Sequence, residues 1–192
     1  MIVGITGGIG AGKSTASEIF AFLGVPIYEA DFHSKNLLDT DKELQSSLME
    51  LLGTDISKNG LIDRAKMASI IFSNNDLLEK ANALIHPKVA NHFKEWLSLQ
   101  DFPYIFKEAA ILFESGSYKN CDQVIVVTAP KDLRITRVMA RSGISREEIL
   151  ARMDKQWPEE KKLELANFII QNDGNASLIK QVLKIHKSLL NN

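Results

Sequence analysis

Residues 7–14 read Gly-Gly-Ile-Gly-Ala-Gly-Lys-Ser, and they fit the pattern G-x-x-x-x-G-K-[ST] at every fixed position. The apolar run Ile2–Thr6 precedes this stretch and the amphipathic segment Ser14–Leu23 follows it, which predicts a buried strand and then a helix. Glycines let the backbone curl so that its N–H groups face an anion, and the helix N-terminus adds partial positive charge. The stretch therefore predicts a phosphate-binding loop, here called the P-loop.

The P-loop predicts a site for ATP and Mg²⁺. Lys13 is expected to reach the β- and γ-phosphates, and the Ser14 hydroxyl is expected to bind Mg²⁺. The residues predicted to contact the nucleotide in this loop are Gly8, Ile9, Gly10, Ala11, Gly12, Lys13, Ser14 and Thr15. The alternative is a glycine-rich turn that contains Gly-Lys-Ser by chance, which the strand before it and the helix after it disfavour.

The composition indicates an ordinary globular protein. The chain has 192 residues and a net charge of −1, so nothing attracts it globally to nucleic acid or to an anionic membrane. We expect no signal peptide, and the sequence has no apolar stretch of the roughly 20 residues needed to span a bilayer. Its one cysteine, Cys121, fits a reducing compartment. We expect a cytoplasmic protein with a small-molecule substrate, either a monomer or a small homo-oligomer.

Short apolar runs alternate with helical patterns along the chain. The runs predicted as strands are Ile2–Thr6, Val25–Tyr28, Tyr104–Phe106, Gln123–Thr128 and Phe168–Ile170. Helices are predicted at Ser14–Leu23, Lys131–Arg141 and Ser177–Leu190, and a capping box opens another at Ser145. This alternation predicts the α/β P-loop NTPase fold, a parallel five-stranded sheet flanked by helices.

Residues 41–100 interrupt the alternation with patterns that are mostly helical. Apolar side chains form stripes there, and Pro87 is predicted to kink or break a long helix over Leu77–Leu99. A second predicted helix contains Ile70, Ile71 and Phe72. We predict one kinase domain with a core of about 1–40 and 101–192, an inserted helical substrate lobe of about 41–100, and a small lid of about 142–158.

Carboxylates follow two of the predicted strands. Phosphoryl transfer to an alcohol needs a carboxylate near the attacking hydroxyl, and such groups lie at the carboxyl ends of strands in an open sheet. Asp31 follows the second strand and is predicted as the general base, with a helix N-cap as the alternative. Glu108 closes the third strand, where it would hold Mg²⁺ through water, and Glu114 lies nearby. An ordinary loop carboxylate is the alternative for both glutamates.

Five of the six arginines fall between Arg134 and Arg152. The spacing of Arg134, Arg137 and Arg141 places them on one helical face. The planar fork of an arginine suits phosphate oxygens, so a lid of arginines over ATP would neutralise charge in the transition state. The alternative is a solvated basic face that pairs with nearby acids, Glu147, Glu148 and Asp154.

With these residues in place, the chain resembles the dephospho-coenzyme A kinase family over about Ile2–Gly174. The matching segments are Gly4–Thr15, Ala30-Asp31, Asp63-Arg64, Phe72, Asn82, His86-Pro87, Ile111–Glu114, Arg137, Arg141, Arg152, Gln156, Asn172 and Gly174. The chain departs from the family's usual residues at Glu29, Ala110, Arg134 and Asn167. At position 134 the arginine replaces a common glutamine.

The resemblance implies ATP-dependent phosphorylation of the ribose 3′-hydroxyl of dephospho-coenzyme A, which gives ADP and coenzyme A. It implies that Asp31 is the base, that Arg137 and Arg141 are catalytic, and that Asn172 lies where related kinases contact adenine. Arg64 is a candidate phosphate partner in the helical lobe, and His86 is a candidate substrate residue. The residues alone reach only a P-loop small-molecule kinase, so another acceptor stays open. A GTP-binding switch is disfavoured because the sequence has no Asn-Lys-x-Asp.

Overall fold

The computed structural model describes residues 1–71 and 74–191, so the prediction for Phe72 lies outside the described residues. The chain divides into two compact units. The first, here called the P-loop unit, contains Met1–Glu29 and the chain from Gln100 onward; the second, here called the helical unit, is Ala30–Leu99. Within the described residues, no helix has both the length and the apolarity needed to cross a bilayer.

The strands are β1 (Ile2–Gly7), β2 (Ile27–Glu29), β3 (Ser57–Lys58), β4 (Leu61–Ile62), β5 (Ile105–Glu108), β6 (Gln123–Thr128) and β7 (Phe168–Gln171). The helices are α1 (Lys13–Phe22), α2 (Ala30–Thr40), α3 (Lys42–Leu52), α4 (Arg64–Ile71), α5 (Asn75–Ser98), α6 (Lys131–Ser142), α7 (Arg146–Met153), α8 (Glu159–Glu164) and α9 (Leu178–Leu190). A 3₁₀ turn covers Ser117–Asn120.

The P-loop unit contains a five-stranded parallel sheet in the order β2-β5-β1-β6-β7, which confirms the predicted fold class. Apolar side chains bury both faces of the central strands, as a parallel sheet between helices requires. The register places Glu29 beside Glu108, so β2 and β5 end at the same edge. β1 lies next to β5 and ends at Gly7, which positions the P-loop at this edge of the sheet.

Two strands differ from the predicted boundaries by two residues at one end. β2 begins at Ile27 rather than Val25, because Pro26 accepts a hydrogen bond from the Phe106 N–H but has no N–H of its own to extend the ladder. The third strand of the sheet extends to Glu108, beyond the predicted end at Phe106. Glu108 therefore belongs to the strand itself, and as a whole residue it is 8% exposed.

The helical unit contains α2 to α5 and a two-stranded hairpin that the hydrophobic pattern did not predict. Leu44 and Leu48 are buried in its apolar core, as one of the predicted apolar stripes requires. The hairpin pairs β3 with β4 in antiparallel register across Asn59 and Gly60, which both have positive φ, 54° and 81°. An Asn-Gly pair is the usual sequence of such a turn, so a signal for this hairpin was present.

Pro87 does not break α5, which runs without interruption from Asn75 to Ser98, so of the predicted kink or break the break is wrong. A proline inside a helix removes one main-chain hydrogen bond and strains one turn. Packing offsets this cost, since α5 buries Ala81 and Phe93 on either side of the proline and contacts α2, α3 and α4. The helix also begins at a strong N-cap, because the Asn74 side chain accepts hydrogen bonds from the N–H groups of Asp76 and Leu77.

Candidate active site

The P-loop joins β1 to α1 and has the curled backbone that the motif predicts. Gly10 and Gly12 have φ of 79° and 90°, in the left-handed region that glycine adopts most readily. A Cβ on Gly12 would also lie 1.9 Å from the Asn172 side-chain nitrogen, so no larger residue fits there. Gly7–Thr15 line a cavity of about 220 Å³ together with Ala110, Arg141 and Gln156. The loop can therefore surround an anion at the N-terminus of α1.

Lys13 forms an ion pair with Glu108, the last residue of β5. Both side chains are largely buried, with exposed fractions of 15% and 10%. The structure thus brings the predicted phosphate-binding lysine together with the predicted magnesium-binding carboxylate. The pair balances the charges of two side chains that have little exposed surface.

Ser14 and Glu108 line a second cavity of about 190 Å³, and Glu29 lies on the same wall. Hydroxyl and carboxylate oxygens are the ligands that Mg²⁺ accepts in proteins, usually only one or two of them beside water and phosphate. The described residues contain no cluster of three or more His, Cys, Asp or Glu side chains that could hold a metal ion alone. Ser14 and Glu108 together therefore fit Mg²⁺ that is bound jointly with a nucleotide.

Arg134 is buried, so it belongs neither to an arginine lid nor to a solvated basic face. Its Nη2 lies 2.6 Å from the Glu159 Oε2, and the Thr128 hydroxyl donates to the same carboxylate. The guanidinium packs against the P-loop at Gly8, where a Cβ would lie 2.0 Å from Nη1. Arg134 is 9% exposed and supports the loop from α6. The spacing of the arginines predicted that Arg134 and Arg137 share one face of the helix. It could not predict that Arg134 is buried.

The other α6 arginines differ from each other in their surroundings. Arg137 donates to the main-chain carbonyl of Asn172 at 3.0 Å, while Arg141 lines the P-loop cavity and is exposed. Arg146 in α7 lies 2.9 Å from Asp132 in an exposed pair, so a solvated basic face describes this arginine, although its partner differs from the acids named above. Of the clustered arginines, Arg141 is the one that the structure brings to the cavity's wall.

Asn172 follows β7 and contacts the P-loop main chain. Its side-chain Nδ2 donates to the Ala11 carbonyl at 2.9 Å, and its own N–H donates to the Thr128 carbonyl at 2.8 Å. The resemblance implied that Asn172 lies near adenine. The structure adds a direct hydrogen bond from Asn172 to the loop that would hold the phosphates. Asn172 therefore links β6, β7 and the P-loop.

Glu114 has a structural role that the sequence left open. Its Oε1 accepts the Trp157 N–H at 2.8 Å and lies 2.8 Å from the Lys162 Nζ, which is almost fully buried. Glu114 does not line the cavity that Ser14 and Glu108 share, so the loop-carboxylate alternative is the better interpretation for Glu114. The neighbouring Gln156 contacts the P-loop directly, and only its place in the matched Arg152-x-x-x-Gln156 segment had singled it out.

The three remaining candidates lie in the helical unit. Asp31 is the second residue of α2 and lies in its first turn, so the N-cap alternative is wrong. Its carboxylate there interacts favourably with the helix dipole. Arg64 begins α4, pairs with Asp39 and is partly exposed, while His86 is an exposed residue of α5. Their roles in catalysis or substrate binding remain predictions.

Cys121 is unsuited to act as a nucleophile. Burial raises the pKa of its thiol to about 11, so the thiol stays protonated near neutral pH. Its Sγ donates weakly to the Ser117 carbonyl at 3.6 Å, and it packs under Gly4 of β1.

Comparisons with known proteins identify the relatives of this chain. The dephospho-CoA kinase family model matches residues 1–177. A dephospho-CoA kinase from Bacteroides fragilis is 38% identical over 95% of this chain and 90% of its own length. A crystal structure of a Thermus thermophilus protein superposes with a TM-score of 0.90 at 36% identity, covering 99% of this chain and 97% of that one. The dephospho-CoA kinase from Campylobacter jejuni superposes with a TM-score of 0.73 at 31% identity, with the same coverage.

Proposed function

Since this chain belongs to the dephospho-CoA kinase family, we propose that it transfers the γ-phosphoryl group of ATP to the ribose 3′-hydroxyl of dephospho-CoA, giving ADP and coenzyme A. The observation that carries the proposal is the P-loop, around which Lys13, Ser14, Glu108 and Arg141 meet at two adjoining cavities. This set contains the groups that phosphoryl transfer requires for positioning and for charge stabilisation.

On the nucleotide side, the main-chain N–H groups of the P-loop bind the phosphates of ATP. Lys13 leaves Glu108 and contacts the β- and γ-phosphates when ATP binds. The same ammonium group therefore pairs with Glu108 before ATP binds and with the phosphates afterwards. Ser14 and Glu108 hold Mg²⁺, which when bound neutralises charge on the phosphate oxygens. Arg141 contacts the same phosphates from α6, and Arg137 is the second catalytic arginine, held by its hydrogen bond to the Asn172 carbonyl. Asn172 contacts the nucleotide and also stabilises the loop from the side of β7.

On the acceptor side, Asp31 orients the ribose 3′-hydroxyl and takes its proton, which makes it the general base. The helical substrate lobe of about 41–100 holds dephospho-CoA, with Arg64 and His86 as contacts to the substrate. The segment of about 142–158 acts as a lid over the nucleotide. We further propose that the enzyme works in the cytoplasm as a monomer or a small homo-oligomer.

The direct test is a coupled assay of ADP release with ATP, Mg²⁺ and a panel of acceptor alcohols. Dephospho-CoA should support turnover, whereas shikimate, gluconate and nucleosides should not. Analysis of the product by mass spectrometry should show one phosphoryl group added to dephospho-CoA. Turnover with another acceptor but not with dephospho-CoA would replace the proposed substrate while leaving the P-loop kinase chemistry in place.

We expect Arg141→Ala to lower kcat by roughly ten- to a hundredfold while changing KM for ATP less, because its charge stabilises the transition state more than the bound nucleotide. Steady-state kinetics with both substrates would measure this split. Arg146→Ala is the matched control, since it removes an exposed arginine that pairs with Asp132. Equal kinetics of the two variants would mean that Arg141 belongs to a solvated face.

A further inference from the structure

Gln156 connects the P-loop to the chain segment that follows β5. Its side-chain Oε1 accepts a hydrogen bond from the Ile9 N–H at 3.1 Å, and its Nε2 donates to the Ala110 carbonyl at 3.1 Å. Both hydrogen bonds are partly buried, and Gln156 lines the cavity that the P-loop forms. A single carboxamide thus uses its acceptor on the loop and its donor on the neighbouring segment.

The two partners of Gln156 belong to the same parts of the chain as the central ion pair. Ile9 lies in the P-loop that carries Lys13, and Ala110 comes two residues after Glu108. The side chain therefore joins the loop with the lysine to the strand end with the carboxylate. A glutamine can do this without adding charge, because its amide supplies one acceptor and donors together.

The backbone around Gln156 is itself held firmly. The next residue, Trp157, donates its N–H to Glu114, and Glu114 lies 2.8 Å from the buried Lys162 Nζ. The Trp157 ring stacks on Phe113, with centroids 6.0 Å apart and planes 15° apart. Since these contacts anchor the segment, binding of Gln156 to the loop costs the conformational entropy of its side chain but little further backbone entropy.

We propose that Gln156 is a positioning residue for phosphoryl transfer, which holds the P-loop at Ile9 in its phosphate-binding curvature before the nucleotide binds. A preorganised loop needs no rearrangement when charge develops on the phosphates, so the benefit appears in the rate as well as in binding. This inference rests on the proposed kinase function, because its kinetic test measures that activity. It goes beyond that function by giving a role to a residue outside the P-loop motif, one that touches the loop and not the reacting atoms.

The kinetic test compares two substitutions of similar length with a matched control. Gln156→Met removes both hydrogen bonds, whereas Gln156→Glu keeps an acceptor for the Ile9 N–H but loses the donor and adds negative charge beside the phosphates. We expect kcat/KM for ATP to fall about tenfold or more in Gln156→Met and further in Gln156→Glu, with kcat lowered in both.

Gln181→Met is the control. The Gln181 side chain likewise accepts from a main-chain N–H, at 2.8 Å, and donates to a main-chain carbonyl, at 2.9 Å, but both groups belong to Gln171. It does not line the P-loop cavity. We expect Gln181→Met to lower the melting temperature about as much as Gln156→Met does. It should change kcat/KM for ATP by no more than about twofold. Equal kinetic losses in Gln156→Met and Gln181→Met would overturn the proposal.

A second measurement does not depend on activity. In the nucleotide-free protein, the Ile9 amide proton should exchange with solvent faster in Gln156→Met than in the wild type, while amides in β1 keep their protection. If the exchange rate of the Ile9 amide were unchanged, the proposal that Gln156 holds the loop would be overturned, even if the kinetics changed. If the wild type did not phosphorylate dephospho-CoA, the proposed function would fail while this exchange experiment still tested the role of Gln156.

Discussion

Lys13→Ala is expected to lower kcat/KM for ATP by about two to three orders of magnitude, because a charge aimed at the transferred phosphoryl group stabilises the transition state in a site with little water. The same substitution leaves Glu108 without its cation at the end of β5. A buried carboxylate that has lost its partner is costly, so the melting temperature should fall as well. Steady-state kinetics and calorimetric binding of Mg·ATP would separate the two effects.

Lys131→Ala is the control for this prediction. Lys131 is the exposed first residue of α6, so its loss removes one positive charge without changing the P-loop. Its kinetics should match the wild type. If a folded Lys13→Ala variant kept near-normal turnover, Lys13 would not contact the phosphates, and the ion pair with Glu108 would be its whole role.

Asp31→Asn is expected to lower kcat by about two to four orders of magnitude, since an amide cannot accept the proton of the acceptor hydroxyl. Binding of ATP should be nearly unchanged, because the nucleotide is held by the P-loop. The measurements are kcat by the coupled assay and the dissociation constant of Mg·ATP by calorimetry. A normal kcat in this variant would remove Asp31 from the role of base.

Asp76→Asn is the matched control for Asp31→Asn. Both aspartates lie in the first turn of a helix of the helical unit, Asp31 in α2 and Asp76 in α5. Each substitution therefore removes a carboxylate that interacts with a helix dipole, and their effects on stability should be similar. A loss of kcat confined to Asp31→Asn would assign the loss to chemistry rather than to the helix.

Much of the fold follows from short-range patterns. The P-loop is a contiguous motif whose glycines, lysine and serine are required together, so its presence between a strand and a helix was enough to predict the fold class. The capping box at Ser145 is equally local, since both of its hydrogen bonds join residues three positions apart. The short β3–β4 hairpin was missed because its strands are too brief to show a period, although Asn59-Gly60 marked the turn.

The sequence by itself thus determined the phosphate-binding loop, the parallel sheet and the family. The contiguous motif, the strand alternation and the helix periodicity all depend on residues that are close together in the chain. Only the tertiary structure decided which polar side chains support the loop. Asn172 reaches Ala11 across 161 residues and Gln156 reaches Ile9 across 147. It also decided that Arg134 is buried against Gly8 while Arg141, on the same helix, lines the cavity. These contacts depend on how α6, β7 and the segment after α7 pack around the loop, and spacing along one helix does not contain that information.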